Sequence, residues 1–67
     1  MTSSEEKLVA ALEDDIYRWE SEAEFFEAFV DSISLPEGEK MPGKEYAGEL
    51  RQRIAKHRAL INEVRAA

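Results

Sequence analysis

The chain has no cysteine, one histidine, one tryptophan, two prolines and three glycines among its 67 residues. Without thiols there are no disulfides and no thiolate nucleophile, and a single imidazole leaves too few ligands for a structural zinc site. No apolar run approaches the roughly 18 residues of a membrane span, and residues 1–6 lack the basic start and apolar core of a secretory signal. A cytoplasmic location is therefore expected, the host cytoplasm if the protein is viral. Hydroxyl nucleophiles are also scarce. Thr2, Ser3, Ser4, Ser21, Ser32 and Ser34 are all the serines and threonines, and most of them fall where helix capping explains them.

At 7.7 kDa a compact monomer would bury only about 60% of the surface its unfolded chain exposes, so a chain of this size normally needs a staple. With disulfides and zinc set aside, what remains is regular helix packing or association with another chain. The chain is too short for more than one domain, spanning 1–67.

Charge is plentiful but unevenly placed. Nine Lys and Arg stand against fifteen Asp and Glu, a net of −6. Residues 1–39 carry twelve acids and two bases, a net of −10, whereas residues 40–67 carry seven bases and three acids, a net of +4. The overall negative charge repels phosphate, so neither nucleic acid nor an anionic membrane is expected as a partner of the surface as a whole. The opposition of the two halves instead points to one folding against the other.

Apolar spacing supplies the fold. Val9, Leu12, Ile16, Trp19, Ala23, Phe26, Val30 and Ile33 alternate steps of three and four, the a and d positions of a heptad repeat. Ala47, Leu50, Ile54, His57, Ile61 and Val64 repeat the pattern, with His57 the one polar member. A helix is predicted over about 4–32, capped by Ser3 with Glu6 in capping-box spacing. A connection follows over about 34–43, holding Pro36, Gly38, Pro42 and Gly43, with a single helical turn at Ser34–Glu37. The second helix runs over about 44–66.

Flanking charges orient the pair. The e positions of the first helix are Glu6, Glu13, Glu20 and Glu27, and those of the second are Arg51, Arg58 and Arg65. Antiparallel packing sets e against e, so Glu27 meets Arg51, Glu20 meets Arg58 and Glu13 meets Arg65. A slide of one heptad, pairing Glu20, Glu13 and Glu6 with the same arginines, satisfies the charges equally well. The expected fold class is all-α: an antiparallel, coiled-coil-like two-helix hairpin. One hairpin leaves its layers open, so dimerisation or a partner is expected to complete a four-helix bundle.

Candidate sites are few, and no catalytic constellation is present. His57 has Arg53, Ile54, Leu60 and Ile61 at helical neighbour spacing and no carboxylate among them, so it reads as a polar seam residue that sets register. Leu8, Phe25, Phe29, Tyr46 and Leu60 lie beside the seam and are the candidate partner-binding residues. Phe25 and Phe29 have two readings: a small core with Leu35, Met41 and Tyr46 that closes the turn end, or an aromatic hot spot. Asp14, Glu20, Glu24, Glu27 and Asp31 form a candidate acidic face, read either as solvated or as a mimic of nucleic-acid phosphates. A straight helix cannot converge the six or so oxygens that a hard cation needs, so no metal or other cofactor is expected.

The expected function is a non-enzymatic protein–protein interaction module, an adaptor, regulator or inhibitor, whose partner is a second copy or a basic protein. The alternatives are an acidic decoy, of viral or other origin, of a DNA- or RNA-binding protein such as a defence nuclease, and an RNA-binding dimer using the basic second helix.

Overall fold

The computed structural model describes residues 2–67; Met1 lies outside the described residues. Two long helices, α1 (Ser3–Phe29) and α2 (Gly43–Ala66), fold against each other as an antiparallel hairpin. A two-stranded antiparallel ribbon, β1 (Ser32–Ser34) and β2 (Lys40–Pro42), joins them. No described helix is long and apolar enough to cross a membrane.

The N-cap of α1 is Thr2, one residue earlier than the predicted cap. The Thr2 hydroxyl accepts from the Glu5 amide at 3.2 Å, and the Glu5 carboxylate accepts from the Thr2 amide at 3.0 Å. Both Thr2–Glu5 and Ser3–Glu6 have the spacing of a capping box, and the first of them forms. Backbone and hydroxyl hydrogen bonds from Thr2 hold the Glu5 carboxyl below its ordinary value.

The predicted first helix, about 4–32, runs too far, and the all-α expectation and the helical turn in the connection need correction with it. Val30 turns extended at φ −116 and ψ 113, ending α1 at Phe29. Ile33 pairs with Met41, Ser32 with Pro42 and Ser34 with Lys40, so this backbone finds its partners across a ribbon rather than along a helix. The tip is a three-residue loop, Pro36–Gly38. The Gly38 amide donates to the Leu35 carbonyl at 3.0 Å, and the Leu35 amide donates to the Glu39 carbonyl at 2.8 Å. Pro36 suits the first loop position through its fixed φ, and Gly38, at φ 87, occupies a conformation that a side chain would strain.

Gly43 is needed for a different reason. Its amide donates to the Asp31 carbonyl at 3.0 Å, which brings the start of α2 against the end of α1. A Cβ at Gly43 would stand 1.8 Å from the Val30 carbonyl oxygen and 2.6 Å from that of Phe26. Only a residue without a side chain permits this approach.

The heptad seam is the core. Val9, Ile16, Ala23, Ala47, Leu50, Ile54 and Ile61 are buried, with Leu12, Trp19 and Val64 packed around them. Val30 and Ile33 are half-buried, though they belong to the helix end and to β1 rather than to a continuing helical seam. The particle measures 43 × 24 × 15 Å, with a radius of gyration of 14.7 Å. A compact chain of this length would have a radius near 11 Å. The hairpin is thus one helix layer thick, with both broad faces of that layer open to solvent.

Candidate functional site

Two flanks run along the seam, one built from the e positions of both helices and the other from the g positions. On the e flank Arg51 bonds Glu27, Arg58 bonds Glu20, and Arg65 stands 3.7 Å from Glu13. This is the first of the two charge registers that the sequence permits. The Arg51 guanidinium holds the Glu27 carboxyl below its ordinary range, through its hydrogen bond first and its charge second. Each of these pairs is exposed and screened by solvent, so it favours an orientation and contributes little beyond that. Between the rungs lies a shallow groove of about 400 Å³ floored by Ile16 and Ile61, with Tyr17 and Asn62 on its rim.

The g flank is finished differently. Leu8, Asp15, Glu22 and Phe29 of α1 run beside Tyr46, Arg53 and Leu60 of α2. Near the turn, Phe25 and Phe29 touch at a ring-centroid distance of 5.6 Å, yet they remain 55% and 78% exposed. The small closed core expected at this end does not enclose them. Tyr46 packs edge-on against Phe26 at 4.7 Å and is half-buried, so it belongs with the seam more than with the surface cluster. Toward the open end, Leu8 and Leu60 are about half exposed. Of the five residues expected to bind a partner, four therefore present apolar surface on this flank, at its two ends.

The middle of the g flank is polar. Asp15 accepts from Arg18 at 3.0 Å, and its second oxygen stands 3.6 Å from His57 Nε2. His57 also meets Trp19 edge-on, with centroids 4.7 Å apart. A carboxylate thus reaches the seam histidine from the opposite helix, where no search along α2 alone could find it. Glu22, half-buried, and Arg53 lie level with each other, and among the described residues neither takes part in an ion pair.

The candidate acidic face divides. Glu20 and Glu27 belong to the ion-pair ladder, whereas Asp14, Glu24 and Asp31 are exposed and outside any ion pair among the described residues. Asp31 follows the end of α1 and so extends past that helix. No group of three or more acids or histidines among the described residues is arranged to hold a metal ion. The basic helix likewise has Arg51, Arg58 and Arg65 drawn toward α1, leaving Lys44, Arg53 and Lys56 exposed and outside any ion pair among the described residues. Tyr17, 75% exposed beside the e-flank groove, is a surface aromatic the heptad reading passed over, because its b position carries no packing signal. Comparison of the chain with protein-family models, curated proteins and solved structures gives no match.

Proposed function

We propose that the chain is a non-enzymatic protein–protein interaction module, an adaptor, regulator or inhibitor, whose working surface is the g flank. The observation that carries this reading is the mutually packed pair Phe25 and Phe29, left mostly in water on a hairpin one layer thick. Aromatic side chains are the usual anchors of protein interfaces, and covering apolar surface returns roughly 25 cal/mol per Å². A second pair of helices laid on this flank completes a four-helix bundle. Neither helix edge offers a nucleophile beside a base, and the one histidine is engaged with Asp15 and Trp19.

The test is affinity capture from the source cell with the tagged chain and with its Phe25→Asp/Phe29→Asp variant, an untagged copy of the chain included. The wild type is expected to retain a protein, either another chain or the untagged copy, that the variant loses while keeping its helical circular dichroism. Equal retention by both, or nothing retained by either, overturns the reading.

A second reading draws on α1 itself, where nine acids stand against two bases over Ser3–Phe29. As a decoy for a basic nucleic-acid-binding protein it would present Asp14, Glu24 and Asp31, the members of the candidate acidic face left outside the ladder. These are ten and seven residues apart, about 15 and 10 Å if taken at helical rise, far sparser than the charge of a duplex. This reading predicts salt-sensitive binding in competition with DNA or RNA, and salt-insensitive binding removes it.

A further inference from the structure

We infer that the occupant of the g flank is a second copy of this chain, packed so that α1 of each copy lies against α2 of the other with the two β-ribbons at the same end. The inference rests on the interaction-module reading and gives it a partner and an orientation.

Three observations lead there. The first is area. Leu8, Phe25, Phe29 and Leu60, at their exposures of 50%, 55%, 78% and 47%, offer roughly 400 Å² of apolar side chain, taking a whole aromatic at about 150–250 Å². A standard interface covers about 800 Å² per partner, a little over half of it apolar. One flank therefore holds the apolar share of one side of such an interface.

The second is charge. Helix α1 has a net charge of −7, from nine acids and two bases, and α2 a net of +3, from six bases and three acids. Two hairpins can meet flank to flank about a twofold axis in two ways. An axis across the hairpin sets α1 on α1, acid on acid, and inverts the ends. An axis along the hairpin sets α1 on α2, acid on base, and keeps every residue at its own height. Only the second is electrostatically matched.

The third is register. In that arrangement Phe25 and Phe29 of one copy approach the aromatic end of the other, while Leu60 of each copy comes level with Asp15 of the other and Leu8 lies two turns nearer the open end. Glu22, half-buried and outside any ion pair among the described residues, comes level with Arg53 of the second copy. The phenylalanine ends meet, and the acid and the base that lack an ion pair among the described residues meet each other.

Sedimentation or light scattering over a concentration series reads the assembly. The wild type is expected to reach twice 7.7 kDa. Phe29→Asp, and independently Glu22→Arg and Arg53→Glu, are expected to stay at one chain over the same range with helicity retained. Mixing Glu22→Arg with Arg53→Glu should restore the doubled mass, since both cross-pairs are then opposite in charge; a pair formed within one chain would gain nothing from mixing. Spin labels on Glu37→Cys, at the ribbon tip, should lie much closer together than the 43 Å length of the hairpin.

A wild type that keeps the single-chain mass throughout overturns the second copy as occupant. The interaction-module reading would then still stand if the capture experiment retained a different protein through Phe25 and Phe29, and would fall if it did not. A doubled mass that none of the three substitutions reduces, a mixture that stays monomeric, or labels separated by the full length of the hairpin overturns the packing.

Discussion

Along one flank of the hairpin Glu13, Glu20 and Glu27 reach across to Arg65, Arg58 and Arg51. Along the other, the equivalent places hold Leu8, Asp15, Glu22 and Phe29 beside Leu60, Arg53 and Tyr46. The two flanks border the same buried seam and differ only in side chains. Ion pairs on the first are satisfied where they stand, in water, and they favour the antiparallel course of α2. On the second, apolar ends bracket charged groups, two of which take part in no ion pair among the described residues. A finished edge and an unfinished edge can therefore share one core, and the unfinished one is where association is to be sought.

The largest effect should come from below both flanks. Leu50, 1% exposed, sits in the seam between Ala23 and Ala47. Leu50→Ala is expected to cost about 2–5 kcal/mol, measured by urea unfolding, and to weaken ladder and apolar flank together. If association survived this loss of stability undiminished, the g flank would not depend on the seam that positions it.

Next is a crossover between the flanks. Glu20→Gln/Glu27→Gln is expected to lower the stability of the hairpin only slightly and to leave association intact. Phe25→Asp/Phe29→Asp should abolish association and, in the dilute monomer, change stability by no more than about 0.5 kcal/mol per exposed site. Unfolding curves and solution mass on the same two proteins check both halves. Ladder variants that dissociate, or Phe variants that unfold, would break the distinction.

The smallest effect is acid sensitivity on the e flank. The Glu27 carboxyl titrates below its ordinary value of 4.5 in the folded chain because Arg51 favours its ionised form. Its contribution is therefore fully present above that value and is lost as the pH falls through the lower, folded one. Thermal unfolding from neutral to strongly acidic pH should show a larger loss of stability for the wild type than for Glu27→Gln. Parallel curves for the two proteins would mean that the rung contributes nothing measurable.

Much of this architecture was legible in the sequence, and the gaps have definite causes. The 3–4 spacing from Val9 to Phe26 and from Ala47 to Val64 names the seam, and the e-position charges name the antiparallel partner. Those charges could not choose between registers, because a slide of seven residues leaves three Glu–Arg pairs in either case. The connection chooses: Gly43 touching the Val30 and Phe26 carbonyls sets where α2 starts relative to α1. The ribbon was hidden by Val30 and Ile33, which continue the 3–4 spacing past the true helix end. Its own signal was present in Leu35-Pro36-Glu37-Gly38, with Pro at the first loop position and Gly at the left-handed one. The Asp15–His57 contact was invisible for a simpler reason, since only the folded register brings the two helices' residues together. Phe25 and Phe29 were legible as candidates, but sequence spacing alone could not separate a closing core from an open surface.

The ladder also orders events in time. Its rungs join residues 24, 38 and 52 positions apart, from the ribbon end outward. Closing the longest loop directly costs about 0.7 kcal/mol more than closing the shortest, but each rung formed shortens the free chain that the next must close. Folding should then zip from the ribbon toward the termini, and native-state opening should run the other way. Amide hydrogen exchange is expected to be slowest around Ala23 and Leu50 and to quicken toward Glu5 and Val64, so that the Leu8 and Leu60 end comes apart first while the phenylalanine end still holds its shape.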